Sequence, residues 1–151
     1  MEKERVMLQI MNNRLILVGV IESKNLRMPK RIFDAIIDTG SVNSYLSQKD
    51  VERFQISVQS KNSEGEVDFG GSRFVQAKIP DVELSFFKGE SKELRAIKIP
   101  FRALKTTKSS ERKKIIASEL PSILGMDFLS NSKYSLHVVL TENIAYLQYE
   151  G

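Results

Sequence analysis

The stretch Phe33 to Ser47 reads FDAIIDTGSVNSYLS, an apolar run that ends in Asp38 and passes straight into Thr39, Gly40 and Ser41. This is how a buried strand delivers one carboxylate into a tight turn. The apolar residues hold the strand in a core, and a glycine at the turn removes the Cβ that would keep a second backbone away. An acid at a strand end is most often a turn former, because Asp bonds back to its own backbone. Here the Thr39 hydroxyl can hold the loop and Ser41 is placed to donate to the carboxylate, so Asp38 is the catalytic candidate. The Asp-Thr-Gly triplet occurs once. Chemistry that needs two facing carboxylates must therefore take the second from another molecule.

Composition narrows what else the chain can do. A length of 151 residues with 41% hydrophobic content suits a single domain over 1–151 with one core. There is no Cys and a single His, so disulfides, thiolate nucleophiles and Cys- or His-rich metal sites are excluded; no metal and no cofactor is expected. Catalysis must rest on carboxylates or hydroxyls. The N-terminal residues show mixed charge and no signal-like cleavage region, which gives a cytoplasmic expectation. The apolar run Leu15 to Ile21 is 7 residues and falls far short of the roughly 20 needed for a membrane span, so no membrane partner is expected.

The net charge is +4, and many of the cations fall in Lys105 to Lys114, KTTKSSERKK, within a basic insertion expected at about 102–119. With no Trp and no aromatic among those cations, the segment lacks a base-stacking platform. It reads as a solvated loop, and nucleic acid is disfavoured as a partner.

Outward from Asp38 the chain is dominated by strand signals. Met7 to Ile21 forms two extended segments around the turn-like Asn12, Asn13 and Arg14. Glu22 to Lys30 is a polar link holding Pro29, and Arg31 to Ile37 is the strand that runs into Asp38. Gln48 to Phe54 has helical spacing, with Ser47 as the cap and Val51 and Phe54 on one face, and is expected to cover the turn. Val67 to Ser72 places Gly70 and Gly71 at a hairpin tip. Phe74 to Phe87 and Leu94 to Phe101 suggest a second hairpin around KGESK. Ile115 to Glu119 reads as a short helical turn, and Tyr134 to Leu140 pairs with Ile144 to Tyr149 around Thr141, Glu142 and Asn143. Many short strands with little helix predict an all-β barrel or sandwich.

Three features together carry a family resemblance: Asp38-Thr39-Gly40-Ser41 after an apolar strand, the Gly70-Gly71 hairpin, and the later Ile123-Leu124-Gly125 followed by Asp127-Phe128-Leu129. In order and spacing they resemble the retropepsin-like aspartic proteases over about Leu15 to Tyr149. The C-terminal stretch is particularly similar to the protease domain of the DNA-damage-inducible ubiquitin shuttles and to small archaeal and bacterial relatives. The resemblance implies a closed β barrel with one or two short helices, one lobe per chain. It also implies a homodimer in which one Asp38 from each subunit meets on the two-fold axis, with Thr39 of each bonding across.

By the same resemblance, Val67, Asp68, Phe69, Gly70 and Gly71 form a substrate-binding flap, and Ile123, Leu124 and Gly125 pack behind the catalytic turn. Asp38, Thr39, Gly40 and Ser41 form the catalytic loop of an aspartic endopeptidase acting on a peptide or protein substrate. A dimer that binds extended peptides without cleaving them would carry the same motifs. Two positions depart from the retroviral pattern of a paired acid and arginine. They are Val42 and Met126, and a joint change to apolar residues predicts an apolar contact at that corner. Ser41, as an extra donor, predicts activity that leans acidic. Asp127 is expected to start a short helix rather than to serve in the dyad, Asp34 to sit at a solvent edge and Asp68 to be exposed.

Overall fold

The computed structural model describes residues 3–24, 26–57, 63–69, 71–79, 82–87, 93–106 and 111–151. Strand β1 (Arg5–Met7) is followed by β2 (Gln9–Met11) and the long β3 (Arg14–Ser23). The turn between β2 and β3 is Asn12-Asn13, with φ of 51° and 59°. Asparagine tolerates that left-handed region, and two such residues close a two-residue hairpin whose twist matches the strands. The fold is mostly β, with a few short helices.

Strand β4 (Met28–Ile37) pairs antiparallel with β3. The polar link is thus shorter than expected, because both strands extend into it. Pro29 is accommodated by a register shift: Ile21 pairs Arg31 but Ser23 pairs Met28, which leaves an extra residue on the β4 side. A bulge is where a strand can hold a residue that has no N–H to donate. Along β4 the buried Phe33, Ala35 and Ile37 alternate with the exposed Asp34, so period two sends one face into the core.

After β5 (Ser44–Leu46) comes α1 (Gln48–Arg53). The Ser47 hydroxyl caps it by accepting from Asp50 N at 3.3 Å, and Val51 and Phe54 are buried, as their spacing predicts. The helix packs on β10 (Phe101–Thr106) and on α2 (Glu111–Glu119). Strands β6 (Ser63–Phe69) and β7 (Ser72–Ile79) form the expected glycine hairpin: Phe69 pairs Ser72, and Gly71 has φ +80°. Gly70 and the KGESK turn lie outside the described residues.

Each of the two long apolar runs divides into two strands. The first holds β7 and β8 (Val82–Phe87), with residues 80 and 81 outside the described part; the second holds β9 (Leu94–Lys98) and the first residue of β10, with Pro100 at the break between them. Strands β8 and β9 make the hairpin, whereas β10 leaves it to pair with β7 and β5. Of the span expected as a basic insertion, residues 102–106 belong to β10, where Ala103 and Leu104 are buried, and α2 buries Ala117. Residues 107–110 lie outside the described part.

Strand β11 (Ile123–Leu124), α3 (Met126–Ser132), β12 (Tyr134–Val139), a 3-10 turn at Leu140–Glu142 and β13 (Ile144–Tyr149) complete the chain. One sheet runs β6-β7-β10-β5-β11-β4-β3-β8-β9, with β2 attached to β3; a second runs β1-β13-β12. Among the described residues no pairing joins β6 to β9. The main sheet is therefore an open path and not the closed barrel the resemblance implies.

The core lies between the sheets. Phe33 meets Phe101 edge-on at 5.9 Å, and Phe86 meets Phe128 at 6.2 Å and Tyr134 at 5.6 Å. Arg95 ties the sheets together through Glu4 at 2.6 Å and lies over the Tyr149 ring, while burial, reinforced by Glu4, pushes the Tyr134 phenol up to about 12. A separate small cluster of Tyr45, Phe74, Leu104 and Ala117, with Val67 and Leu120 against it, supports the glycine hairpin. No helix among the described residues is long and apolar enough to cross a membrane.

Candidate active site

The strand that decides the position of Asp38 is only two residues long. β11 lies between β4 and β5, parallel to the first (Ile123 with Ile36, Leu124 with Ile37) and antiparallel to the second (Ile123 with Tyr45). The chain from 38 to 43 therefore loops around the end of a strand that arrives from some 85 residues later in the sequence. Ile36 N donates to Ser122 O at 3.0 Å and Asp38 N to Leu124 O at 2.9 Å, which holds the turn at its entrance. Met126 N donates to Ser41 O at 2.8 Å and Asp127 N to Val42 O at 3.1 Å, which holds it at its exit.

Gly125 is required here for space. A Cβ at this residue would stand 2.3 Å from Asn43 O and 2.6 Å from Ser41 O, both backbone atoms that cannot swing away. Ile123, Leu124 and Gly125 thus lie directly behind the turn.

Within the turn the Asp38 carboxylate accepts from Gly40 N at 2.9 Å, and Ser41 N closes the loop onto Asp38 O at 3.1 Å. The Ser41 hydroxyl does not reach the carboxylate as expected; it donates to Asn43 O at 2.7 Å. The basis for acid-leaning activity from a Ser41 donor is therefore absent. Thr39 and Gly40 are exposed and Asp38 is partly so. The predicted apolar contact at the corner takes another form as well: the two stretches are joined through backbone hydrogen bonds, Met126 N to Ser41 O and Asp127 N to Val42 O, and Val42 and Met126 are 74% and 45% exposed.

Asp127 belongs to a different task. Its carboxylate accepts from Ser44 Oγ at 2.5 Å, Ser44 N at 3.1 Å and Phe128 N at 2.8 Å, and the Ser44 hydroxyl in turn accepts from Gly125 N at 3.0 Å. Asp50, 4% exposed, accepts from Ser122 Oγ at 2.5 Å and pairs with Arg53 at 3.2 Å, and Ser122 Oγ also accepts from Ser47 N at 2.9 Å. These two networks, the first partly buried and the second buried, rivet β11 and α3 to the segment that follows the turn. Ser44 and Ser122 were missed in the sequence. The available signal was Ser41, Ser44 and Ser47 recurring every third residue beside a single acid.

A cleft of about 650 Å³ opens over Asp38. Gly40 and Ser41 of the turn, Ile36 and Ile123 of the strands beside it, and Val67 and Asp68 of the hairpin line it. Asp68 is exposed and paired with Arg73 at 3.3 Å. Of the residues expected in the flap, Val67 and Asp68 thus line the same cleft as Asp38, Gly40 and Ser41, whereas Gly71 and Thr39 are not among its described lining residues. Arg14, Tyr45 and Leu120 also line it, and none of them had been singled out for the site.

No protein-family profile matches the chain, and no curated protein matches by sequence. A search of solved structures finds similarity to a retropepsin-like aspartic protease from Rickettsia conorii, with a TM-score of 0.55 and 10% identity, over 98% of this chain and 93% of that one. At that identity the likeness speaks to the fold, and it supports the reading made from the motifs: the chain has a retropepsin-like fold.

Proposed function

We propose that this chain is an aspartic endopeptidase active as a homodimer, with Asp38 of each subunit supplying one half of a carboxylate dyad. The observation that carries the proposal is a single carboxylate, partly exposed in a peptide-sized cleft and held by one amide of its own loop. Asp127 is already saturated by donors, and Asp68 is paired with Arg73. The exposed Val42 and Met126 beside the turn supply an apolar surface for a second copy to cover.

In the dimer, two carboxylates about 3 Å apart cannot both ionise, so one keeps a proton. The ionised one takes a proton from water as the oxygen attacks the peptide carbonyl, and the protonated one donates to the carbonyl oxygen. Collapse of the tetrahedral diol breaks the C–N bond as the amine takes up a proton. Gly40 N, already bound to Asp38 Oδ1, orients that carboxylate for the exchange. The hairpin carrying Gly71 is suited to lie along an extended substrate and pair with its backbone.

Wild-type protein and Asp38→Asn are incubated with an unfolded protein across acidic to neutral pH, and solution mass is measured for both. The expected result is cleavage by the wild type only, by a particle of twice 17.2 kDa. Equal cleavage by the variant, or a strictly monomeric active enzyme, overturns the proposal; peptide binding without turnover assigns a silent binding module instead.

A further inference from the structure

Arg14 is the residue of this cleft that the catalytic reading leaves without a task. It is the first residue of β3, set by the Asn12-Asn13 turn and paired with Met11. Further along the same strand, Ile16 pairs with Ile36. Continued two residues past this last pair, the same antiparallel register would set Arg14 opposite Asp38. Period two keeps both on the face of Ile16 and Ile36. Arg14, Ile36 and Asp38 all line the cleft.

The charges around it are otherwise settled within the chain. On the hairpin, Asp68 and Glu66 both pair with Arg73 at 3.3 Å, and Glu64 pairs with Arg102 at 3.0 Å. Arg14 is exposed and has no ion-pair partner among the described residues. The cleft thus holds the Asp38 carboxylate, a hairpin whose acids already have ion-pair partners, with Glu66 and Asp68 sharing Arg73, and one arginine with no ion-pair partner among the described residues. A guanidinium carries five N–H donors in a planar fork that matches a carboxylate. Tyr45, Val67 and Ile123 in the lining offer apolar contact, and the one hairpin acid there, Asp68, is paired with Arg73.

We propose that Arg14 is a specificity residue that takes an acidic substrate side chain, Asp or Glu, close to the scissile bond. The proposal deepens the endopeptidase reading and rests on it for the cleavage step. The carboxylate preference can nonetheless be read from binding alone.

The test uses peptide sets identical except for Glu, Gln or Lys at each of the three positions on either side of the scissile bond. They are presented at low salt to wild type, Arg14→Gln and Arg14→Glu, with kcat/KM ratios as the readout and solution mass as a control. Wild type is expected to favour Glu over Gln by about fivefold at one position, the scale of a partly solvated ion pair. The ratio should fall to about one in Arg14→Gln and turn toward Lys in Arg14→Glu, with the wild-type preference shrinking as salt is raised.

A ratio of one in the wild type at every position, or a ratio unmoved by the variants, overturns the proposal. So does an equal slowing of all peptides, which would mean that Arg14 acts on Asp38 instead. Loss of the dimer in both variants overturns it too, since Arg14 would then serve the subunit contact. Should the wild type cleave nothing, the endopeptidase reading fails separately, and Kd values of the same peptides decide for Arg14: a Glu preference that Arg14→Gln abolishes supports it, and equal Kd values overturn it.

Discussion

Asp38 and Asp127 sit at the two ends of one knot of backbone and are treated in opposite ways. Asp127 is held by the Ser44 hydroxyl, the Ser44 amide and the Phe128 amide, and its carboxylate closes a network that reaches Gly125. Asp38 is held by the Gly40 amide alone and faces a cleft. An acid whose acceptor sites are filled by protein donors is part of the framework, and removing it strands those donors in the interior. An acid with two donors fewer, beside open space, keeps lone pairs available to whatever enters the cleft. The two residue types are identical, and only the donors around them assign the roles.

The contrast can be strained at several points on a common scale of stability, read by urea denaturation. Gly125→Ala is the most damaging, because its Cβ would press on two carbonyl oxygens that also shape the Asp38 turn; a loss of about 3 kcal/mol or more is expected. A variant with an unchanged urea midpoint would mean that the knot can loosen without penalty.

Asp127→Ala leaves the two Ser44 donors and the Phe128 amide unpaired and should cost about 2–3 kcal/mol. Ser122→Ala removes the hydroxyl shared by the buried Asp50 and the Ser47 amide and should cost about 1–2 kcal/mol. A crystal structure of that variant with Asp50 still buried and newly paired would explain a smaller figure.

Asp38→Asn reverses the pattern. It keeps an oxygen for Gly40 N and lies at the cleft surface, so stability should move by less than about 0.5 kcal/mol while cleavage is lost. Were Asp38→Asn to destabilise the fold as much as Asp127→Ala, the division of labour between the two would be wrong.

The smallest effect concerns a carboxylate remote from the knot. Hydrogen bonds from Lys3 first, then Gln148 and Ser135, pull Glu150 down to about 2 from the ordinary 4.5. The folded form therefore binds this proton less readily than the unfolded chain. Its contribution is complete above pH 4.5 and disappears as the pH falls through about 2. Solvent screens this exposed group, so Glu150→Gln should only slightly flatten the drop in denaturation midpoint between pH 5 and pH 2. An identical pH profile in the variant would show that these contacts contribute nothing.

What the sequence determined by itself is what neighbours along the chain determine. The alternation of β4 places Phe33, Ala35 and Ile37 inward and delivers Asp38 at the strand end. Asn12-Asn13 and Gly71 mark tight turns because few other residues occupy their backbone region. Ser47 caps α1 through a bond spanning three residues. Each of these rests on local periodicity or local turn chemistry, and each was legible.

Tertiary structure decided the rest. Ile123-Leu124 is too short to carry a periodic signal, yet its insertion between β4 and β5 turns FDAIIDTGSVNSYLS into a loop fixed at both ends. The run Leu94 to Phe101 was broken at Pro100, and β10 was drawn into the sheet by partners on β5 and β7. The Ser41 hydroxyl went to a carbonyl two residues on, and Ser44 found an acid 83 residues away. Arg14 and Asp38 came to line one cleft from the ends of different strands. Contacts of this kind depend on which backbones come to lie side by side, and no pattern within a single stretch of chain encodes that choice.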